Sequence, residues 1–551
     1  MEIVIVGGGA TGMKAASRAR RRDPEAKITV IESSKWLSFS RCGLPYYIEQ
    51  KVGNLDDLRK TPYGVVRDAE FFKKMKKIEV LEETKALEIN RSKKVLKILR
   101  RGSEDELNYD FLVLATGAIP SKPPIPGIDS EKVLGLYSPE DADKILRLYR
   151  NGAKRAVVIG TGFIGIEACE ALKSLGLDVT LIEALDRVAP TMLDSDMARL
   201  LASHLKEKGV KILTSTKVEK ISGENELIVH AKDKISADFV VVATGVKPNV
   251  EIAEKAGIEI GSKGGIVVNE RLQTNDPSIY AGGDCIETTN LITNEKVVAP
   301  FGDAANKQGR VIGDNITGGN SIYKGVIGTA IFKAFDFSVA VTGLNEETAK
   351  RYFNTSSILV SSYDRTHYYP GMGVVRMKLI FDSNSRRILG AQIIGNGVVD
   401  KRIEVIATAI MNKMTVDALE DLDLAYAPPY SPALDIVVTA SHVVKNKFEG
   451  LLNSIKAEEV KNLIESGEDF VLLDVRNEVE AKNIKINIKN TINIPLPKLR
   501  ERISELPRDK LIITACPLGL RAYEASRILI SEGFKNVKVL EGGLPFLLTL
   551  I

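Results

Sequence analysis

The stretch IVIVGGGATG at residues 3–12 decides the N-terminal fold, because an apolar run typical of a buried strand leads directly into closely spaced glycines. Gly7, Gly9 and Gly12 have the spacing G-x-G-x-x-G, and a helical pattern follows them. A second apolar run then ends at Glu32. This order of strand, glycine turn, helix, strand and acid predicts a Rossmann-like unit. Its turn approaches a diphosphate, and its acid binds ribose hydroxyls.

The same pattern occurs a second time, at AVVIGTGFIG, with Gly160, Gly162 and Gly165 at the three glycine positions. Another helix and another apolar strand follow, and Glu183 stands at the end of that strand. The chain therefore has two predicted dinucleotide sites. Glu183 favours NADH because a carboxylate repels a 2′-phosphate, whereas the nearby Arg187 leaves NADPH open.

Composition narrows the classes of function. The 551 residues are 44% hydrophobic and 27% charged, and the net charge of +4 is spread along the chain without a basic block. We therefore expect a globular protein of three or four domains that does not bind nucleic acid. The chain starts in a predicted strand, and no apolar run reaches the roughly 20 residues of a membrane span. Four cysteines in this length do not suggest a disulfide framework, so we expect a reducing cytoplasm.

Three strand-to-turn segments connect the two dinucleotide patterns. They are LVLATG, ending in Ala115, Thr116 and Gly117; VVVATG at 240–245; and IYAGGD, ending in Asp284. Together with the fingerprints, these segments resemble the two-dinucleotide-binding flavoprotein disulfide reductases over about residues 1 to 445. The resemblance implies that the first fingerprint and the first of these turns bind FAD. It also implies that the second fingerprint binds NAD(P)H and that Asp284 contacts the ribityl chain of the flavin.

One cysteine follows the first fingerprint, in SFSRCGLPY at residues 38–46. Cys42 has no cysteine neighbour, and Cys169 and Cys285 are expected to be packing residues. A single redox cysteine cannot close an internal disulfide, so it must work through a mixed disulfide, a persulfide or a sulfenate. The segment resembles the single-cysteine subgroup: coenzyme A disulfide reductases, NADH oxidases and peroxidases, and coenzyme A-dependent sulfur reductases. We expect Cys42 to start a helix whose dipole stabilises the thiolate.

Local residues discriminate within this subgroup. The peroxidases and oxidases carry a histidine in the first glycine turn, where this chain has Ala10 or Thr11. The segment YAPPYS resembles the one that carries an active-site tyrosine in coenzyme A disulfide reductases. By that resemblance, Tyr426 reaches Cys42 of the partner subunit and donates a proton to the leaving thiolate. Tyr368 is the second such tyrosine, and ordinary interface packing is the alternative for both.

Substrate-binding residues are expected around Cys42. Coenzyme A disulfide reductases commonly have Ser-Phe-Ala-Asn-Cys where this chain has Ser-Phe-Ser-Arg-Cys. Arg41 can stabilise the thiolate or bind an anionic substrate, and Ser38 belongs to the same site. By resemblance to the family's first helix, Arg18 and Arg22 bind coenzyme A phosphates. The alternative for the two arginines is a solvated charged face.

The C-terminal residues form a separate pattern of short apolar strands that alternate with helices. The sequence DVR at 474–476 comes early, and CPLGLR, from Cys516 to Arg521, comes late. This order resembles a rhodanese domain, and six residues from Cys to Arg match the sulfurtransferase loop. In such a loop the backbone N–H groups converge on the sulfur and stabilise a thiolate or a persulfide.

The predicted fold class is α/β: two nested Rossmann-like domains, an α+β dimerisation domain and a C-terminal α/β rhodanese domain. The expected boundaries are 1–119 and 246–324 for the split FAD-binding domain, 120–245 for the NAD(P)H-binding domain, 325–445 for the dimerisation domain, 446–456 for the linker, and 457–551 for the rhodanese domain.

The predicted activity is FAD-dependent reduction of coenzyme A disulfide, coenzyme A persulfide or polysulfide by NAD(P)H in a homodimer. Coenzyme A is a substrate or bound ligand, and no metal site is predicted. Cys42 attacks the sulfur–sulfur bond, while Cys516 and Arg521 serve sulfane transfer. One alternative is an NADH oxidase that cycles Cys42 through a sulfenate. The other is a redox- or sulfur-sensing protein.

Overall fold

The structure is a computed structural model that describes residues 1–551. By packing, the chain forms two compact units: residues 1–184 with 210–326, and residues 185–209 with 327–551. No helix is long and apolar enough to cross a membrane. The predicted α/β fold class is confirmed: two parallel sheets with helices form the first unit, and an antiparallel sheet with helices and a C-terminal parallel sheet with helices form the second.

Two five-stranded parallel sheets organise the first unit, and both consist of short apolar runs that are buried on both faces. The strands of the first sheet are, in spatial order, Ile279–Ala281, Phe111–Leu114, Glu2–Val6, Lys27–Ile31 and Glu79–Leu81. The strands of the second are Lys211–Leu213, Asp178–Ile182, Arg155–Ile159, Phe239–Val242 and Val133–Leu134. In each sheet, the strand before the glycine turn lies in the centre.

Helices and small antiparallel sheets complete the first unit. Its helices are Ala10–Arg22, Leu44–Ile48, Ala69–Lys76, Pro139–Arg150, Phe163–Ser174, Glu251–Lys255 and Gly302–Ile316, with 3-10 turns at Arg41–Gly43 and Leu55–Arg59. Its antiparallel strands are Thr84–Asn90, Val95–Arg100 and Ser103–Asn108; Lys220–Ser222, Leu227–His230 and Lys234–Ala237; Ala118–Pro120 with Val246–Pro248; and Thr288–Thr289 with Lys296–Val297.

The second unit contains an antiparallel and a parallel sheet. The antiparallel order is Ala330–Ala334, Phe337–Gly343, Ile388–Gly395, Val374–Asp382 and Thr355–Tyr363. Around it are the helices Ser195–Glu207, Glu346–Ala349, Asp400–Met411 and Ile436–Phe448, and the 3-10 turn Asp417–Leu419. The parallel order is Ser454–Ile455, Val537–Leu540, Leu511–Ala515, Phe470–Asp474 and Thr491–Asn493. Its helices are Ala457–Glu465, Glu478–Asn483, Leu520–Ser531 and Leu544–Leu548, with 3-10 turns at Leu496–Lys498 and Ile503–Glu505.

A buried lysine explains why residues 185–209 pack with the second unit. The Nζ atom of Lys378 lies 2.8 Å from Asp196, 2.8 Å from Glu346 and 3.2 Å from Asp194. Such a buried cation is tolerated only with close anionic partners. The segment therefore supplies two of the three carboxylates that the antiparallel sheet requires.

Candidate functional site

The first glycine turn has the geometry that a dinucleotide needs. Gly7 has a φ of +114°, and a Cβ there would collide with the carbonyl of Ala115. A Cβ on Gly12 would collide with the carbonyl of Gly7, so the helix packs directly on the strand. Open space surrounds Gly9, which leaves room for a diphosphate. These residues fit the diphosphate of FAD.

The Glu32 carboxylate lies beside this turn. It accepts hydrogen bonds from the backbone N–H of Gly8, at 2.8 Å, and of Ser34, at 2.9 Å. The predicted ribose-binding acid is therefore fixed against the glycine turn. On the neighbouring strand, Thr116 donates its hydroxyl to the carbonyl of Asn249 at 2.6 Å, and Gly117 has a φ of +69°.

The second glycine turn repeats this geometry. Gly160 has a φ of +98°, and a Cβ on Gly165 would collide with the Gly160 carbonyl, whereas Gly162 has open space. The Glu183 carboxylate accepts from both the backbone N–H and the hydroxyl of Thr161, at 3.0 and 2.7 Å. The acid is thus fixed beside the second glycine turn, as Glu32 is beside the first.

Cys42 is solvent-accessible and lies in the 3-10 turn Arg41–Gly43. The predicted helical segment is present: this 3-10 turn passes directly into the α-helix Leu44–Ile48, which has Pro45 in its first turn, a position that suits proline. Although Cys42 is accessible, the protein around its thiol displaces part of the surrounding water. This desolvation and the negative charge of Glu167 raise the Cys42 pKa, and Arg41 opposes them. The groups of the protein itself therefore favour the thiol over the thiolate.

Glu167 is a residue that the sequence analysis missed. It lies in the helix Phe163–Ser174, directly after the second glycine turn, and burial together with Glu170 raises its pKa to about 7. The Tyr46 hydroxyl is 3.5 Å from its carboxylate, and burial with Glu167 raises the Tyr46 pKa to about 12. A carboxyl that titrates near neutrality beside a reactive cysteine is a typical acid–base group.

We predict that Glu167→Gln lowers the pKa of Cys42, because the substitution removes a negative charge that disfavours the thiolate. Alkylation of Cys42 in the FAD-loaded protein should become severalfold faster at neutral pH, and its pH profile should move to lower pH. The matched control is Asp143→Asn, since Asp143 accepts from the Tyr47 hydroxyl at 2.8 Å and does not act on Cys42. A Glu167→Gln profile that coincides with the parent's would contradict this electrostatic role.

Arg41 stacks on an aromatic ring next to Cys42. Its guanidinium carbon is 4.3 Å from the ring centre of Tyr137, whose hydroxyl donates to the carbonyl of Ala118. Burial raises the pKa of the Asp284 carboxyl, and the charge of Arg41 opposes that rise. Arg41 is therefore a positive group that acts electrostatically on both Cys42 and the predicted flavin-binding acid.

The other predicted substrate residues have intramolecular partners. The Nε of Arg18 lies 2.5 Å from Asp314, and the Nε of Arg22 lies 2.9 Å from the Thr317 hydroxyl. These contacts join the first helix to the helix Gly302–Ile316. Ser38 has a φ of +50° and donates its backbone N–H to Gly8, so it is fixed to the first glycine turn. Binding of coenzyme A by Ser38, Arg18 and Arg22 stays a prediction.

Tyr368 and Tyr426 are exposed in the second unit, at 65% and 53% of their full area. Two tyrosines with so much free ring area suit a surface that another subunit covers. Cys169 and Cys285, by contrast, are fully buried, as expected for packing residues.

In the C-terminal unit the sulfur of Cys516 is buried in a loop of backbone donors. The N–H groups of Gly519, at 3.1 Å, and Ala522, at 3.4 Å, donate to it. Gly519 has a φ of +93°, which turns its N–H toward the sulfur ahead of the helix Leu520–Ser531. This arrangement stabilises negative charge on the sulfur and on any sulfur atom bound to it.

The positive charge of Arg521, at the end of this loop, is paired with a carboxylate. Its two terminal nitrogens lie 2.7 and 2.9 Å from the two carboxylate oxygens of Glu480. Asn477 and Glu480 form a capping box at the N-terminus of the helix Glu478–Asn483. This cap fixes the position of the Glu480 carboxylate. The sequence analysis named Arg521 but missed Glu480, although the Asn-x-x-Glu pattern after DVR marks such a cap.

The segment from Glu541 to Leu544, here called the strap, supports the Cys516 loop from behind. The backbone N–H of Leu544 donates to the Cys516 carbonyl at 2.9 Å, and a Cβ on Gly543 would collide with the Pro517 carbonyl. The strap is fastened to the strand Thr355–Tyr363, because buried Glu541 accepts from the backbone N–H of Leu359 at 2.9 Å.

Family comparisons agree with this geometry. The pyridine nucleotide-disulphide oxidoreductase family matches residues 1–308, its dimerisation domain matches residues 329–437, and the rhodanese-like domain matches residues 456–545. The chain belongs to the pyridine nucleotide-disulphide oxidoreductase family. Its cofactors are FAD and a pyridine nucleotide, for which the two glycine turns provide the binding geometry.

Three individual proteins are similar to the chain. A structure of an NAD-dependent persulfide reductase from A. fulgidus is 55% identical with a TM-score of 0.95, covering 99% of this chain and 100% of that one. An NADH oxidase from Methanocaldococcus jannaschii is 37% identical, over 78% of this chain and 96% of its own length. An NAD(P)H coenzyme A polysulfide/persulfide reductase from Pyrococcus horikoshii is 35% identical, over 81% and 98%.

Proposed function

We propose that this protein is a homodimeric NAD(P)H-dependent reductase of sulfur–sulfur bonds, with coenzyme A persulfide as the principal substrate. The observation that carries the proposal is the pairing of two cysteine sites in one chain. Cys42 is accessible beside the nucleotide sites, and Cys516 lies in a loop of sulfur-binding donors. Coenzyme A disulfide and polysulfide belong to the same chemical class.

The proposed reaction reduces coenzyme A persulfide to coenzyme A and hydrogen sulfide, and NADH with one proton becomes NAD⁺. The Cys42 thiolate attacks one sulfur of the persulfide bond. Attack on the inner sulfur forms a mixed disulfide and releases hydrosulfide, whereas attack on the outer sulfur forms a Cys42 persulfide and releases the coenzyme A thiolate. FAD, when bound, supplies the two electrons that reopen the new sulfur–sulfur bond.

The residues around Cys42 transfer protons and stabilise negative charge. Glu167 titrates near neutral pH, so it can take the proton of the thiol and return it to a leaving sulfur. Arg41 favours the thiolate and supplies positive charge for an anionic substrate. We place Tyr426 and Tyr368 of the partner subunit over the same site, where a phenol can hydrogen-bond a departing thiolate.

The proposal also covers the nucleotide and the compartment. Glu183 faces Thr161, where a 2′-phosphate would meet its negative charge, and Arg187 is paired with Glu347 at 2.7 Å. We therefore propose a preference for NADH. All four cysteines are free thiols, which fits the reducing cytoplasm.

Tyr426→Phe should slow turnover with coenzyme A disulfide about tenfold or more, because the leaving thiolate loses its hydrogen-bond donor. Stopped-flow measurement should show unchanged flavin reduction by NADH and a slower Cys42 step. The matched control is Tyr430→Phe, an exposed tyrosine of the same segment. Equal rates for the Tyr426→Phe variant and the parent would remove Tyr426 from the site.

The experiment that tests the function is anaerobic oxidation of NADH and NADPH by the purified protein, with sulfide release recorded. Coenzyme A persulfide, coenzyme A disulfide and polysulfide are offered separately. Turnover with sulfide release from the persulfide supports the proposal, and turnover with the disulfide alone would restrict the enzyme to thiol redox chemistry.

An oxidase is the second candidate, because a similar protein is named NADH oxidase. It predicts no anaerobic turnover and rapid NADH loss once air is admitted. The first glycine turn carries Ala10 and Thr11 and lacks the histidine that assists peroxide chemistry, which favours the reductase.

A further inference from the structure

The one positive charge of the Cys516 loop is neutralised by an ion pair. Arg521 is the one cation in the loop, and Glu480 neutralises it through two hydrogen bonds. Both side chains are about one-third exposed, at 34% and 35%, so the pair stands at the surface beside the buried sulfur. The hydrogen bond from Arg521 lowers the pKa of the Glu480 carboxyl, which keeps that carboxylate charged at neutral pH.

Apolar side chains flank this ion pair. Val479 and Leu520, the sequence neighbours of the paired residues, are exposed at 68% and 67%, and Ile484 is exposed at 55%. The second arginine nearby offers no free charge either. Arg476 is buried in a two-pronged contact with Asp474, and its guanidinium also donates to the carbonyls of Glu480 and Ile484.

Sulfur donors differ in the charge that such a loop must accommodate. With thiosulfate, the Cys516 thiolate attacks the outer sulfur, a Cys516 persulfide forms, and sulfite leaves with both electrons of the broken bond. Three negative charges then meet at the loop. With a protonated organic persulfide, the same attack releases an organic thiolate, and only one negative charge is present throughout. A loop whose arginine is already paired and whose neighbours are apolar disfavours the first reaction far more than the second.

We propose that the rhodanese-like domain takes its sulfur from an organic persulfide, discriminates against thiosulfate, and owes this preference to Glu480. The inference rests on the proposed function, because it names the donor for the domain that supplies the reductase. Glu480 acts through Arg521 and is a specificity-determining residue, since it cancels the charge that a thiosulfate dianion requires.

The test measures loading of Cys516 in the full-length, FAD-loaded protein with Cys42→Ser, so that the exposed thiol of Cys42 cannot take up the added sulfur. One added sulfur atom is followed by intact mass after mixing with thiosulfate or with glutathione persulfide. The parent should load faster from the persulfide. Glu480→Gln should raise the second-order rate with thiosulfate about tenfold, change the persulfide rate less than about twofold, and make the thiosulfate rate fall with added salt.

Two further variants make the result specific. Glu478→Gln removes a carboxylate of the same helix that pairs with Lys498 at 2.9 Å, and it should change neither rate. Val479→Lys adds a cation at an exposed position that folding does not require, and it should also raise the thiosulfate rate. Faster loading of the parent from thiosulfate would overturn the proposal. So would an unchanged thiosulfate rate in Glu480→Gln, and a gain in Val479→Lys alone would then show that charge matters but that Glu480 does not set the preference.

Failure of the reductase function would be seen separately. NADH oxidation with coenzyme A persulfide is measured in the Glu480→Gln variant that retains Cys42. Absence of turnover there and in the parent would refute the proposed reductase, while the loading rates of Cys516 would still report on donor preference.

Discussion

Cys42→Ser should lower anaerobic reduction of coenzyme A persulfide and coenzyme A disulfide by at least about a thousandfold, since a hydroxyl cannot replace the attacking thiolate. FAD should remain bound, because the glycine turn and Glu32 that fit the cofactor do not depend on the thiol. The measurements are NADH consumption and the flavin absorbance of the purified protein.

The matched control for Cys42→Ser is Cys169→Ala, which removes a fully buried thiol on the helix Phe163–Ser174. This variant should keep turnover within about twofold of the parent after correction for FAD content. Substantial residual turnover in Cys42→Ser would refute single-cysteine chemistry and direct attention to another thiol.

Cys516→Ser should abolish loading of sulfane sulfur on the C-terminal domain, again by at least about a thousandfold. Reduction of coenzyme A disulfide should stay within about twofold of the parent, because that reaction needs only Cys42 and the nucleotide sites. Intact mass measures the first effect, and NADH consumption measures the second.

The reciprocal variant provides the control for Cys516→Ser. Cys42→Ser should load sulfur at Cys516 at the rate of the parent while it loses reduction. If Cys516→Ser also stopped disulfide reduction, the division of the chain into a reducing and a sulfur-carrying site would be wrong.

The sequence could predict those features that depend on local spacing. The glycine turns, Glu32, Glu183 and the loop after Cys516 each follow directly from the strand that precedes them, and the fold places them as that order requires. Glu167 and Glu480 were missed for a different reason. Each acts on a residue distant in sequence, and only tertiary packing brings the carboxylate to its partner.

The start of the helix after Cys42 shows a local limit of the same reasoning. The expectation relied on the helix dipole at Cys42, but Cys42 lies in the 3-10 turn that leads into the α-helix Leu44–Ile48. The Cys42 pKa is raised mainly by desolvation and by Glu167. Neither influence can be predicted from residues 38–46 alone.

The contacts of the strap determine which residues a C-terminal fragment of this protein would lose. Five residues, 449–453, separate the helix Ile436–Phe448 from the first strand of the C-terminal sheet, and a gene fragment would naturally begin there. Such a fragment keeps Cys516 and every residue of its loop, yet it leaves behind Leu359 and also Ser361, whose hydroxyl donates to the Gly542 carbonyl at 2.8 Å. The segment that supports the Cys516 loop is thus longer than the rhodanese-like sequence. A fusion of that sequence to another reductase would need a strand that offers the same hydrogen bonds to Glu541 and Gly542.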